Sequence, residues 1–181
     1  MKRIAITVLG VLAISGSAFA QAPDPLETAL LAAPAPLKND ATVIKWKPDY
    51  TYDTLRKGSN RLVCFDKSSM PGQQPFSIEC TSIANLDRVA QNLKFESEPD
   101  RMKRQAALDA AEANGTRAKP EYGSVWYHVM GKDRATARNH MTIAVPGATT
   151  ASTGLPDNPK TGGVWIMNAG TSTAHLMTPG E

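Results

Sequence analysis

The stretch Tyr52–Asp66, YDTLRKGSNRLVCFD, decides how this chain is expected to fold. Tyr52–Lys57 and Arg61–Asp66 flank Gly58-Ser59-Asn60. Gly and Asn supply the positive φ that a tight connection demands, so the stretch reads as a β-hairpin. In its second arm, Leu62 and Cys64 share one face while Val63 and Phe65 share the other.

Upstream, Ala41–Lys47 alternates, with Ile44 and Trp46 on one face and Lys45 and Lys47 on the other, the pattern of a half-buried strand. Before it, residues 21–40 are rich in Ala and Pro. Pro23, Pro25, Pro34 and Pro36 restrict any helix to about Leu26–Ala32, so the segment reads as a linker with one or two helical turns.

Downstream, Lys67–Pro75 reads as loop, and Cys80 stands just ahead of a helical pattern. Leu86, Val89, Ala90 and Leu93 fall at i, i+3, i+4 and i+7, an apolar stripe. A second helix is expected to be capped near Ser97, with Pro99 and Asp100 in its first turn, and to stop at Asn114-Gly115. The basic cluster Arg101-Met102-Lys103-Arg104 reads as a solvated face of that helix.

Four β-rich runs follow, Gly123–Met130, His140–Val145, Gly163–Asn168 and Thr171–Met177. Residues 147–162 form a long Gly-, Thr-, Ala- and Pro-rich loop, of the kind that serves as a lid or binding loop or stays disordered. The order predicts an α+β domain over residues 41–181, a mostly antiparallel sheet with two helices on one face.

The N-terminus carries an export signature. Lys2 and Arg3 precede an apolar run, Ile4–Gly16, and then Ala18-Phe19-Ala20. Small residues at 18 and 20 fit a signal peptidase, so residues 1–20 read as a Sec signal peptide cleaved after Ala20. About 13 apolar residues fall short of the roughly 20 a spanning helix needs, so no membrane anchor is expected after cleavage. The expected location is periplasmic or secreted.

Cys64 and Cys80 are the only cysteines. An exported chain with two cysteines usually joins them, and a disulfide is expected here. It would tie the hairpin to the start of the first long helix. A thiolate metal site and a reactive Cys are the alternatives; the spacing is not Cys-x-x-Cys.

Net charge argues against nucleic acid. Loss of Lys2 and Arg3 from the 20 Lys and Arg leaves 18 basic against 17 acidic residues, a net of +1.

Leu55-Arg56-Lys57-Gly58-Ser59-Asn60, followed after three residues by Cys64, resembles a group of uncharacterised exported bacterial proteins. In that group a Gly-x-Asn turn precedes the first Cys, a second Cys follows a Pro-containing loop, and a His-aliphatic-Met strand lies near the C-terminus, here His175-Leu176-Met177. The resemblance covers about 41–95 and 122–177. Members of the group carry Trp where this chain has Arg61, and 98–120 have no counterpart. It implies an exported domain and no particular chemistry.

No nucleophile motif, phosphate loop or dinucleotide fingerprint is present, and no catalytic residue is assigned. Asp49 with Asp53, and Asp66 with Glu79, read as solvated acids. Two His-x-Met pairs stand out, His128-Val129-Met130 and His175-Leu176-Met177. On a strand, i and i+2 share a face, so each pair offers an imidazole beside a thioether, a donor set suited to copper. If the two strands were neighbours, the four side chains could converge. His140-Met141 does not join the set, because adjacent strand residues face opposite ways. The aromatic residues Trp46, Tyr50, Tyr52, Trp126 and Tyr127 could line a ligand pocket.

The leading expectation is an exported, non-enzymatic domain without a cofactor that binds a small molecule or an envelope protein. The alternative is a periplasmic copper-handling protein using His128, Met130, His175 and Met177.

Overall fold

A computed structural model describes residues 24–178 of the chain. The expected signal peptide and its cleavage point lie outside those residues. Among the described residues no helix is long and apolar enough to cross a membrane.

The segment expected as a linker is part of the fold. Asp24 caps a short helix, α1 (Pro25–Ala29), its side chain accepting from Leu26 N at 2.9 Å. A 3-10 turn, Leu30–Ala32, and a second short helix, α2 (Ala35–Lys38), follow. Pro34 and Pro36 end one helix and start the next, while Ala29, Leu30 and Ala32 are buried against the sheet. Small and aliphatic side chains here cover a sheet face.

Strand β1 (Thr42–Trp46) pairs antiparallel with β2 (Tyr52–Arg56). Their turn is closed by Asp49, whose carboxylate accepts from Thr51 N and Oγ1, and by Tyr50 at φ 65°. The next strand, β3 (Leu62–Asp66), pairs in parallel with β1, so the hairpin expected over 52–66 does not form. The chain instead crosses the start of β1, with Ser59 N and Asn60 N both donating to Asp40 O. Glycine is needed at position 58 because a Cβ there would lie 2.2 Å from Asp40 O. Its role is close backbone approach rather than a tight turn.

The hairpin partner of β3 is β4 (Phe76–Ser82), a strand absent from the sequence reading. Cys64 and Cys80 occupy one rung of this pair and are disulfide-bonded. The bond joins two neighbouring strands and does not tie a strand to the start of a helix.

Helix α3 (Leu86–Glu96) forms as expected from its stripe and buries Leu86, Val89 and Leu93. Helix α4 (Arg101–Ala113) is capped by Asp100, which accepts from Met102 N and Lys103 N, three residues beyond the expected Ser97. The remaining strands are β5 (Val125–Gly131), β6 (Arg138–Ala144), β7 (Trp165–Met167) and β8 (His175–Met177). The 147–162 loop contains a one-turn helix, α5 (Thr150–Thr153), closed by a Thr149–Ser152 capping box.

The eight strands make one sheet in the order β2-β1-β3-β4-β5-β6-β8-β7, antiparallel at every junction except β1–β3. This is the α+β architecture, a mostly antiparallel sheet with the two long helices on one face. Ile44, Trp46, Val63, Phe65 and Trp126 pack with α3 on that face. Val43, Cys64, Ile78 and Cys80 pack with Ala29 and Leu30 on the other. Val145, Ala148, Ile166 and Ala174 form a smaller third cluster.

Candidate functional site

The strand order puts α3 over the first half of the sheet, and α4 leans on α3. Between these helices and the second half lies a cleft of about 640 Å³, within the usual range for a small-molecule site. Its walls include Arg88, Arg104, Glu112, Arg117, His128 and Met130.

Arg88 projects from α3 beside the apolar stripe and is only 3% exposed. Its Nη1 donates to Ala118 O (2.7 Å) and Ser172 Oγ (3.2 Å), and its Nη2 to Thr173 Oγ1 (2.7 Å). Arg117 is 7% exposed. It donates to Gln91 Oε1 (3.1 Å) and Asn92 Oδ1 (2.5 Å), and its guanidinium lies 5.0 Å from the Phe95 ring centroid.

Every partner of these two guanidiniums is neutral. Among the described residues, no carboxylate lies within ion-pair distance of either. The acids of the cleft are engaged by neutral donors: Glu112 accepts from Ser172 N and Oγ, Glu96 from Gln73, and Asp109 from Gln105. Burial, reinforced by the Arg117 charge, brings the Arg88 pKa down to about 10. Burial also lowers that of Arg117. Glu112, which burial alone would raise, is held below the usual carboxyl range by the Ser172 hydrogen bonds.

The cleft floor is a second polar centre. Glu79 on β4 is 2% exposed. Its Oε2 lies 2.5 Å from Lys67 Nζ and 3.2 Å from His128 Nδ1. The His128 contact is close but poorly aligned, so His128 Nδ1 lacks a hydrogen-bond partner; Glu79 Oε1 has none either. Burial works against the Glu79 charge, yet Lys67 and then His128 outweigh it and bring its pKa to about 2. Lys67, which burial would lower, is raised by Glu79 and more distantly by Glu96. Glu79 is thus no solvated acid, and Asp66 is paired with Ile78 one rung along.

The structure separates the four expected copper ligands. Strands β5 and β8 are not neighbours, because β6 lies between them. His128 pairs with His140, whereas His175 pairs with Ala144 and Met177 with Thr142. Two strand spacings, about 10 Å, and four residues of register therefore divide His128 from His175. His140, set aside on local spacing, faces His128 directly, with ring centroids 5.9 Å apart. Burial, then the charges of His128 and His175, lower its pKa. Among the described residues, no group of three or more His, Cys, Asp and Glu side chains is placed to hold a metal.

The aromatic set is also divided. Trp46 is buried and meets Tyr52 and Phe65 edge-on, at 5.5 and 5.6 Å. Tyr50 packs on the same cluster, its hydroxyl 3.0 Å from Ser97 Oγ. Trp126 belongs to the α3-side core, while Tyr127 lies on the opposite face with Cys64 and Cys80. Tyr52 stays 41% exposed on the edge strand, the other four pack in or against the two core clusters, and no cleft among the described residues brings the five together.

Arg88, Arg117 and Lys67 carry no motif in the sequence, and Glu79 reads there as a solvated acid. A signal existed for Arg88, which interrupts the surroundings of an apolar stripe. For Glu79 it lay in its placement one residue before Cys80. Comparison of the chain with family models, with curated proteins and with solved structures returned no match.

Proposed function

We propose that this chain is an exported binding domain, rather than an enzyme, that takes a small anionic molecule into the cleft between α3, α4 and the sheet. The observation that carries this reading is the pair Arg88 and Arg117. Both are buried, both line the cleft, and among the described residues neither touches a carboxylate: Glu112 acts on both only from a distance, reaching Arg88 through Ser172, and Glu96 adds to this at Arg117. Two buried positive charges with only distant compensation are costly, and a carboxylate or phosphate in the cleft would supply direct charge-assisted hydrogen bonds. Arg104, half-buried on α4 at the same cleft, adds a third positive group.

Export rests on Lys2-Arg3, the apolar run and Ala18-Phe19-Ala20, and on the resemblance to the exported group. A disulfide fits an oxidising compartment. Mature protein recovered outside the cytoplasm and beginning at Gln21 would support it; a cytoplasmic chain beginning at Met1 would overturn it.

The binding reading is tested by thermal unfolding and calorimetry with phosphate, di- and tricarboxylates and nucleoside monophosphates at constant ionic strength. Saturable stabilisation by one class, reduced at least about tenfold in Arg117→Gln, supports the reading. A ten-fold loss is about 1.4 kcal/mol, modest for one charge-assisted contact. No response beyond the salt control would leave the cleft without its proposed ligand and move attention to protein partners.

A further inference from the structure

Three side chains beside the Glu79 centre form a grouping that the anion reading does not use. His128 and His140 occupy one rung of the β5–β6 pair, on the same face, with rings stacked at 5.9 Å. Met130 follows His128 by two residues, on that face, and pairs with Arg138, two residues before His140. Met130 is therefore the same-strand neighbour of His128 and the diagonal neighbour of His140.

We propose that His128, His140 and Met130 form a cross-strand site for copper(I), with Glu79 behind His128 as a positioning residue.

Opposed residues on paired antiparallel strands have Cβ atoms about 5 Å apart. That spacing lets two imidazole nitrogens reach one ion at about 2 Å each. Imidazole with thioether is the soft donor set that selects copper(I) over harder cations. The half-exposed His140 can turn towards His128, whose Nδ1 side faces Glu79 and leaves Nε2 for the metal. A buried carboxylate behind the distal nitrogen is the arrangement that orients a ligating histidine. It also gives a role to His128 Nδ1, a buried atom without a partner that lies 3.2 Å from Glu79 Oε2. A cation at Nε2 makes Nδ1 a stronger donor and draws it onto the carboxylate. The site needs only two His and one Met, so it is consistent with the lack of any larger His, Cys, Asp and Glu group among the described residues. His175 takes no part, lying opposite Ala144, four residues along β6 from His140; Met177, opposite Thr142, neighbours His140 on the diagonal but stands two strands away from His128.

The test is anaerobic competition for copper(I) between the purified disulfide-bonded protein and a chromophoric copper(I) chelator. The wild type is expected to withhold about one copper per chain. His140→Ala and Met130→Leu are each expected to weaken binding at least about tenfold, as lost ligands do. His175→Ala and Arg117→Gln are expected to match the wild type, which separates this site from the anion site. Unchanged urea midpoints establish that the variants are folded. The proposal is overturned if the wild type withholds no copper, if the double variant His128→Ala/His140→Ala keeps wild-type affinity, or if His175→Ala weakens binding as much as His140→Ala.

Discussion

Lys67 Nζ and Glu79 Oε2 lie 2.5 Å apart in an ion pair almost closed to solvent, joining the first residue after β3 to the middle of β4. Such a pair contributes little compared with apolar packing, but removing one partner leaves a buried charge.

The pH dependence follows from the lowered Glu79 pKa. In the folded chain it is about 2, against an ordinary 4.5. The unfolded state binds the proton first, so the contribution is fully present above about pH 4.5 and is lost as pH falls towards 2. It amounts to about 3 kcal/mol. Urea unfolding at pH 7, 4 and 3 should show this fall, and Glu79→Gln should flatten it while lowering stability at pH 7.

Gly58→Ala should destabilise far more than Gly115→Ala. At position 58 a Cβ would collide with Asp40 O, Ala41 C and Thr42 N, all backbone atoms that cannot swing aside. A cost of about 3 kcal/mol is expected. At Gly115, φ is 73° but the space is open, so the cost is about 1 kcal/mol from left-handed backbone alone. Urea midpoints of the two variants decide the order.

Leu30→Ala tests whether the N-terminal segment contributes to stability. Leu30 is 2% exposed and packs with Val43, Cys64 and Ile78. Loss of a leucine from such a site should cost about 2–5 kcal/mol. A change below about 0.5 kcal/mol, the range of surface substitutions, would mean that the segment is not docked in solution.

The double variant Cys64→Ala/Cys80→Ala should unfold about 3 kcal/mol more easily, the loop entropy of 15 bridged residues. It should keep its far-ultraviolet spectrum, since the two strands pair along five rungs without the bond.

Periodicity makes α3 legible, cap and stop residues make α4 legible, and β-rich composition marks the C-terminal strands, because all three signals are local. The pairing of strands is not local. Gly58 looks the same whether it makes a turn or lets two backbones touch, so local sequence pairs β3 with β2 where the fold pairs it with β1. Strand β4 was hidden because both its faces are buried and Ser77, Glu79 and Thr81 look like exposed positions. The site suffered for the same reason. The spacing of His128 and Met130 showed that they share a face, but only register brings His140 opposite and takes His175 away.

The docked segment 24–38 also governs access to the cystine. Cys64 and Cys80 are wholly buried, and Cys80 Sγ lies 3.8 Å from Ala29 O. A thiol must approach a sulfur in line to exchange with it. Oxidation therefore has to precede the closing of this N-terminal leaf during folding. In the finished protein, the rate at which a mild reductant opens the bond becomes a clock for how often that one leaf lifts, with the rest of the sheet still in place.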